Sequence, residues 1–376
     1  MEWNELKTGM ILKYITGYPI HRSLCYLTTK TRKYMVSKPL GITLNITEKC
    51  NLRCKMCYTQ KMNIEKEELS ENDILQMISD MKKWGVDRLN LSGGEPLLRK
   101  DTVFKVLSLC KEYGIQTGLV TNGWLLDTKT ADQLISLDLA RISISIDGIG
   151  DIHDNIRCVN GSFDKAIDAI NNINRSKDKL QKNCVVHINS IICNENLDIL
   201  INLINLARSN NSISWLQALN SNDNRKTDPL WIPKDRLNRL NEIIDKIIDI
   251  KKNEKGIIGN PTKELKSIKR YFEDYVVERD ECYAALDTIS INSSGNVLPC
   301  WLWDSVGNIK DKDIRSIWNS DIYRKSIIDM QKCTHTCMLN CHFTPGSLDS
   351  LLYDMAYIPI IRTIRGIKKD NKKKII

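Results

Sequence analysis

With 376 residues, the chain has room for one large α/β domain and a smaller second one, and its 42% hydrophobic content excludes a wholly disordered or fibrous class. Thirteen cysteines, an odd number in clustered spacings and without a cleavable signal peptide, exclude a secreted disulfide framework and predict a reducing cytoplasm. The net charge of +9 is concentrated in Lys368, Lys369, Lys372, Lys373 and Lys374, and the interior has no basic patch interleaved with aromatics, so no nucleic-acid partner is expected.

Residues 1–39 mix apolar and basic character, with Ile11, Leu12, Tyr14 and Ile15 on one helical face, and read as an N-terminal cap. From Ile42 the pattern becomes strand, loop, helix, and repeats. Strands are predicted at 41–47, 86–91, 115–121, 140–146, 184–190 and 212–218, rich in Ile, Val or Leu as strands covered on both faces should be. Helices are predicted near 69–84, 99–113, 129–136, 163–174, 195–209 and 233–251. Six such units imply an α/β fold, a partial (β/α)6 TIM-like barrel over residues 40–251, with chemistry at the C-terminal strand ends. The polar stretch 220–232 either borders the mouth of the barrel or is an ordinary surface loop. Residues 252–281 read as a linker helix region.

The first strand runs into Thr47-Glu48-Lys49-Cys50-Asn51-Leu52-Arg53-Cys54-Lys55-Met56-Cys57-Tyr58. Cys50, Cys54 and Cys57 offer soft thiolates for three corners of an iron–sulfur cube but not for the fourth. An iron without a protein ligand can bind a small molecule and pass it an electron. A structural zinc site would need four ligands with a pair on each of two knuckles, and His21 and Cys25 upstream lack that spacing. The segment resembles the CxxxCxxC signature of the radical S-adenosylmethionine (SAM) superfamily, with Tyr58 as the aromatic beside the last cysteine. The resemblance implies a [4Fe-4S] cluster whose open iron chelates the amino and carboxylate groups of SAM. One-electron reduction then cleaves the sulfonium to methionine and a 5'-deoxyadenosyl radical.

After the second strand comes Ser92-Gly93-Gly94-Glu95-Pro96, where the glycines let backbone approach a ligand and Pro96 fixes the exit. It resembles the GGEP motif of the same superfamily, which implies that Glu95 holds the amino group of SAM. Thr121-Asn122-Gly123 resembles the family's TNG turn near the cofactor. Ser143-Ile144-Ser145-Ile146-Asp147-Gly148, followed by His153, Asp154 and Arg157, looks like the SxDG…HDxxR stretch of members with cysteine-rich extensions. By that match Ser145 contacts the ribose or nearby polar atoms and Arg157 pairs with the SAM carboxylate, a geometry suited to a planar guanidinium. Asp147, at a strand end, is a candidate for substrate contact, although Asp-Gly also makes an ordinary turn. His187 and Asn189 alternate on the fifth strand and share a face. They either touch cofactor or substrate, or His187 is a satisfied core histidine.

A second cysteine cluster starts at Cys282. The Ser294-Gly295-Asn296 turn lies between Ile-rich and Val-Leu segments and predicts a hairpin that brings Cys282 and Cys300 together. Cys333, Cys337 and Cys341, followed by His342, come next, and spacing alone also permits zinc on four of these five cysteines. The arrangement resembles the SPASM and twitch extensions of radical SAM enzymes, here spanning 282–343, although the run from Cys333 departs from the seven-cysteine series. The resemblance implies one auxiliary [4Fe-4S] cluster, rather than two, on Cys282, Cys300 and two of Cys333, Cys337 and Cys341. Val306-Gly307-Asn308 and Ser316-Ile317-Trp318-Asn319 match the same extensions. Cys25, Cys110, Cys158, Cys184 and Cys193 read as small hydrophobes.

The tail, 344–376, has an apolar run from Leu351 to Ile367 before its lysines. It reads as an element packed on the barrel; the alternative is peripheral contact with an anionic membrane at its inner face. The expected reaction is removal of a hydrogen atom from unactivated carbon by the SAM-derived radical, with flavodoxin or ferredoxin as electron donor. Peptide or protein is the leading substrate class. A small polar or lipid-linked metabolite that is oxidised, dehydrated or epimerised is the alternative, and a non-catalytic iron–sulfur or zinc protein the reading outside enzymes.

Overall fold

A computed structural model of the chain describes residues 20–21, 23–31, 35–57, 67–220, 228–276, 282–334 and 336–338. Helical residues 20–21 and 23–31 form α1. Then follow β1 (Gly41–Asn45), α2 (Glu71–Trp84), β2 (Arg88–Ser92), α3 (Lys100–Tyr113), β3 (Gln116–Thr121), α4 (Thr128–Ser136) and β4 (Arg141–Ser145). Two helices, α5 (Asp151–Arg157) and α6 (Ser162–Leu180), precede β5 (Val185–Ile192), α7 (Leu200–Ser209) and β6 (Ile213–Ala218). The chain continues through α8 (Leu237–Asn253), α9 (Thr262–Asp274), α10 (Ala284–Asp287), β7 (Thr288–Ile291), β8 (Val297–Leu298), α11 (Ile314–Trp318) and α12 (Asp321–Met330).

Local chemistry sets these boundaries. Ser70 and Asp73 form a reciprocal capping box at the start of α2, and Gly85, at φ 81°, closes it in the left-handed conformation that glycine adopts without a β-carbon penalty. Between them Ile74, Met77, Ile78 and Met81 make one buried stripe. Asp127 caps α4 by accepting from the Thr130 N–H.

The strands lie in one eight-stranded sheet in the order β6-β5-β4-β3-β2-β1-β7-β8. β1 to β6 are successive parallel neighbours, as expected of an open (β/α)6 barrel. The expectation of strands covered on both faces needs correction: β2, β4, β5 and β6 alternate between buried and partly exposed positions. Ile142, Ile144, Val186 and Ile188 join the helix stripes in the core, whereas Asn90, Ser143, Ser145, His187, Asn189 and Trp215 are only partly buried. An incomplete barrel leaves its inner face partly open, so that face carries polar side chains.

The hairpin expected from Ser294-Gly295-Asn296 is present as antiparallel β7 and β8. It also continues the barrel sheet, because β7 pairs in parallel with β1 from Gly41↔Thr288 to Leu44↔Ile291. Leu69 N–H donates to Ser293 O at 2.6 Å, and Trp318 meets Trp84 of α2 edge-on with ring centroids 5.6 Å apart. At the opposite edge, buried Asn260 substitutes for a strand residue: its Oδ1 accepts from Leu216 N–H at 2.8 Å and its Nδ2 donates to Leu216 O at 2.6 Å. The segment read as a linker helix contains α9. Among the described residues no helix is long and apolar enough to cross a membrane, and the tail at 344–376 lies outside them.

Candidate functional site

The cysteine loop leaves the C-terminal end of β1 and is held from two sides. On one side Gly94 N–H donates to Thr47 O at 2.7 Å and Glu95 N–H to Lys49 O at 2.8 Å. The glycines also answer to the protein itself: a β-carbon on Gly93 would lie 2.1 Å from Thr47 O, and one on Gly94 2.1 Å from Lys49 O. On the other side Lys55 N–H donates to Ile156 O of α5 at 3.0 Å, and the Lys55 ammonium pairs with Glu195 at 2.7 Å. Within the loop, Leu52 N–H points at Cys50 Sγ (3.4 Å) and Cys57 N–H donates to Cys54 O (3.1 Å).

Glu95 is fully buried. Its Oε1 accepts from the Thr121 hydroxyl (2.8 Å) and Leu97 N–H (3.1 Å), and its Oε2 accepts from Asn122 N–H (2.8 Å). Burial pushes this carboxyl upward in pKa, and the three donors work against that shift. The carboxylate therefore ties the β2 loop to the TNG turn, and it reaches the thiols through Asn122. Asn122 Nδ2 donates to Asn51 Oδ1 at 2.9 Å and lies 3.8 Å from Cys50 Sγ.

A second brace comes from β4 and α5. Arg157 Nη2 pairs with Asp147 Oδ2 at 2.5 Å, while Arg157 Nη1 points at Cys54 Sγ at 3.6 Å. Expected to face a substrate, Asp147 is instead wholly enclosed: Oδ1 accepts from Ile191 N–H at 2.7 Å, and its carbonyl accepts from Asn196 Nδ2 at 2.7 Å. Burial raises the Asp147 pKa and Arg157 opposes it; for Arg157, burial favours loss of charge but Asp147 and Cys54 outweigh it, so its pKa rises. A guanidinium does not release its proton in a protein, so the pair stands as an ion pair. His153 Nδ1 accepts from Asp147 N–H at 3.1 Å, and burial, with Arg157 adding to it, lowers the imidazole to about 3, which leaves it neutral.

Burial pushes the Cys50 and Cys54 thiols upward, partly offset at Cys50 by Leu52 N–H and at Cys54 by Arg157. Both also feel the charge of Cys57. Three soft donors thus converge beside two buried nitrogens, Arg157 Nε and Asn51 Nδ2, that have no hydrogen-bond partner among the described residues. Thiolates of this kind fit an iron–sulfur cluster, and the unspent N–H groups fit an anionic ligand beside it.

The structure brings Cys50, Cys54, Cys57, Asn122 and Arg157 together, with Glu95 and Asp147 behind them. Ser145 and Asn189 are register partners on β4 and β5 and face the partly open side of the sheet. His187 is a register further from the strand ends, opposite Ser143, and stacks on Trp215 at 5.8 Å with 17° between the rings. Tyr58 and Cys341 lie outside the described residues. In the C-terminal region, the pKa of Cys300 rises to about 12, first through burial and then through the charges of Cys282, Cys337 and Cys333, its thiol neighbours among the described residues. Sequence reasoning missed Asn51 and Asn196; the first adjoins Cys50, but Asn196 had no signal because it meets Asp147 only through the β5 crossover.

Comparison with known proteins bears on this geometry. Residues 44–207 match the profile of the radical SAM superfamily, and residues 282–342 that of the SPASM iron–sulfur cluster-binding domain. The chain is 36% identical over 136 residues to Fe-coproporphyrin III synthase of Methanosarcina barkeri, a match spanning 36% of this chain and 34% of that relative's length. It is 26% identical over 306 residues to AdoMet-dependent heme synthase of the same organism, covering 77% of this chain and 85% of the relative. Streptococcus suis SuiB bound to precursor peptide SuiA superposes with a TM-score of 0.62 at 20% identity, covering 80% of this chain and 69% of that one.

Proposed function

This chain carries a radical SAM domain and a C-terminal SPASM-type iron–sulfur domain, and on that premise we propose that it removes a hydrogen atom from a peptide or protein substrate. The observation that carries the reading is the convergence of Arg157 and Asn122 on the sulfurs of Cys54 and Cys50, each braced by a buried carboxylate. When bound, a [4Fe-4S] cluster with one open iron supplies the electron that cleaves SAM to methionine and a 5'-deoxyadenosyl radical.

The chain's own residues do the rest. Cys50, Cys54 and Cys57 would hold three irons. Asn122 and Arg157, which point at the sulfurs of Cys50 and Cys54, would tune the potential of a cluster held there. Arg157 also offers its remaining N–H to the SAM carboxylate, and Asp147 acts as a positioning residue that fixes the guanidinium plane. Glu95 positions Asn122 and, through Gly93 and Gly94, the loop that meets the amino group. Ser145 and Asn189 bind sugar hydroxyls, and the inner sheet face with His187 and Trp215 holds substrate carbon near the radical. Positioning is the main catalytic device, since the radical attacks what is held nearest.

In this reading residues 40–251 are the catalytic barrel, and 282–343 hold one auxiliary [4Fe-4S] cluster on Cys282, Cys300 and two of Cys333, Cys337 and Cys341. A cluster on those thiols would be able to take up the electron left on the substrate, and flavodoxin or ferredoxin would be the electron donor. Likeness to a fold that binds a precursor peptide in SuiB supports the peptide class. A second reading, oxidation of a small metabolite, is favoured by the 26% identity that covers 85% of a heme synthase. Deuterium transfer into 5'-deoxyadenosine separates them: transfer from a labelled peptide supports the first, and transfer only from a labelled tetrapyrrole carboxylate replaces it with the second.

A further inference from the structure

Away from both cysteine clusters, His21, Cys25 and Asp287 bring an imidazole nitrogen, a thiol sulfur and a carboxylate oxygen within 4.8 Å of one another. His21 Nε2 stands 3.0 Å from Asp287 Oδ1, and the Cys25 thiol points at the same oxygen from 3.6 Å. Cys25 is 0% exposed, and the His21 and Asp287 side chains are 11% and 6% exposed. We propose that these three residues form a zinc site that staples α1 to the start of the C-terminal hairpin.

The placement follows from the fold. His21 and Cys25 are four residues apart on α1, so both project from one helix face. Asp287 ends α10 and leads into β7, the strand that joins the C-terminal region to β1. Its backbone is fixed as well, since Leu40 N–H donates to Asp287 O at 2.8 Å and Asp287 N–H donates to Tyr283 O at 2.8 Å. Two segments separated by 266 positions therefore present donors to a common point.

The donor set suits zinc. A thiolate, an imidazole and a carboxylate are its usual ligands, and with three of them the site is of the open kind, water taking the fourth tetrahedral position, unlike the closed two-knuckle site whose spacing His21 and Cys25 lack. Binding would release the thiol proton and replace the His21–Asp287 and Cys25–Asp287 contacts with bonds to one ion, adding binding energy to the docking of α1. None of the three is a ligand in the proposed catalytic machinery, so this site stands or falls independently of the radical chemistry.

The test uses the full-length chain purified anaerobically after growth with added zinc. Elemental analysis is expected to give about one zinc per chain beside the iron. Zinc-edge X-ray absorption, which is blind to iron, should show one sulfur at about 2.3 Å and nitrogen or oxygen at about 2.0–2.1 Å. His21→Ala, Cys25→Ser and Asp287→Asn should each reduce zinc at least about fivefold and leave iron unchanged. Wild type without retained zinc, zinc with three or four sulfur neighbours, or zinc that survives all three substitutions would overturn the proposal. If a variant fails to fold, the wild-type edge spectrum decides alone.

Discussion

Arg157 joins Asp147, at 2.5 Å, to the sulfur of Cys54, at 3.6 Å, so one side chain links the end of β4 to the cysteine loop. Removing either partner leaves the other buried and charged. Arg157→Ala should therefore destabilise the full chain by roughly 3–5 kcal/mol in urea denaturation, and adding Asp147→Asn should recover a large part of the loss. Equal midpoints for wild type and Arg157→Ala would show that the pair braces nothing. Arg157→Lys keeps the charge but cannot span both partners, and should lower 5'-deoxyadenosine formation at least about tenfold.

Gly93 offers a sharper test of the loop. A methyl group there meets the Thr47 carbonyl at 2.1 Å, on backbone that cannot move aside cheaply, and φ is +134°. Gly93→Ala should fold with the auxiliary cluster intact and lose about four irons, those of the first cluster. Gly114→Ala is the control: its φ is +70°, but the added methyl meets nothing within 4 Å. It should cost about 1 kcal/mol and no iron. Equal iron in Gly93→Ala and wild type would remove the close-approach argument.

Cys300 feels the charges of Cys282, Cys333 and Cys337, which supports these thiols as candidates for the auxiliary cluster. Single alanine substitutions of Cys282 and Cys300 should each strip about four irons and leave SAM cleavage in place, and two of the three single substitutions at Cys333, Cys337 and Cys341 should do the same. A full iron complement in Cys282→Ala or Cys300→Ala would contradict this ligand set.

On α9, Glu264 yields a pH prediction. Burial raises its carboxyl from the usual 4.5 to about 8, with Asn260 and Lys251 opposing the shift. The folded chain then holds a proton that the unfolded chain releases, so stability is full below pH 4.5 and is lost as pH rises toward 8. Glu264→Gln mimics the protonated form, and its stability relative to wild type should improve by on the order of 3 kcal/mol between pH 5 and pH 8. Parallel pH profiles for the two proteins would contradict a neutral Glu264.

How much of this was readable beforehand depended on sequence separation. The six strands and the thiols of Cys50, Cys54 and Cys57 were legible because a β-strand's composition and a ligand's spacing are local. The use of Glu95 and Asp147 was not, because their partners Thr121, Asn122, Ile191 and Asn196 arrive from neighbouring strands and crossovers. Gly93 announced a close approach but not to what. The pairing of β7 with β1 was likewise hidden, since parallel partners carry no turn signal to mark them, and the meeting of His21 with Asp287 depends on that pairing.

The central claim is that Cys50, Cys54 and Cys57 carry the cluster that cleaves SAM. Anaerobic iron and sulfide analysis with EPR, run beside a dithionite-driven cleavage assay, tests it most directly. The account predicts about eight irons in wild type and about four in both the C50A/C54A/C57A and C282A/C300A variants, with 5'-deoxyadenosine formation abolished only in the first. Cysteine clusters filled with zinc and no SAM cleavage by the wild-type chain would contradict it and leave a structural metal protein.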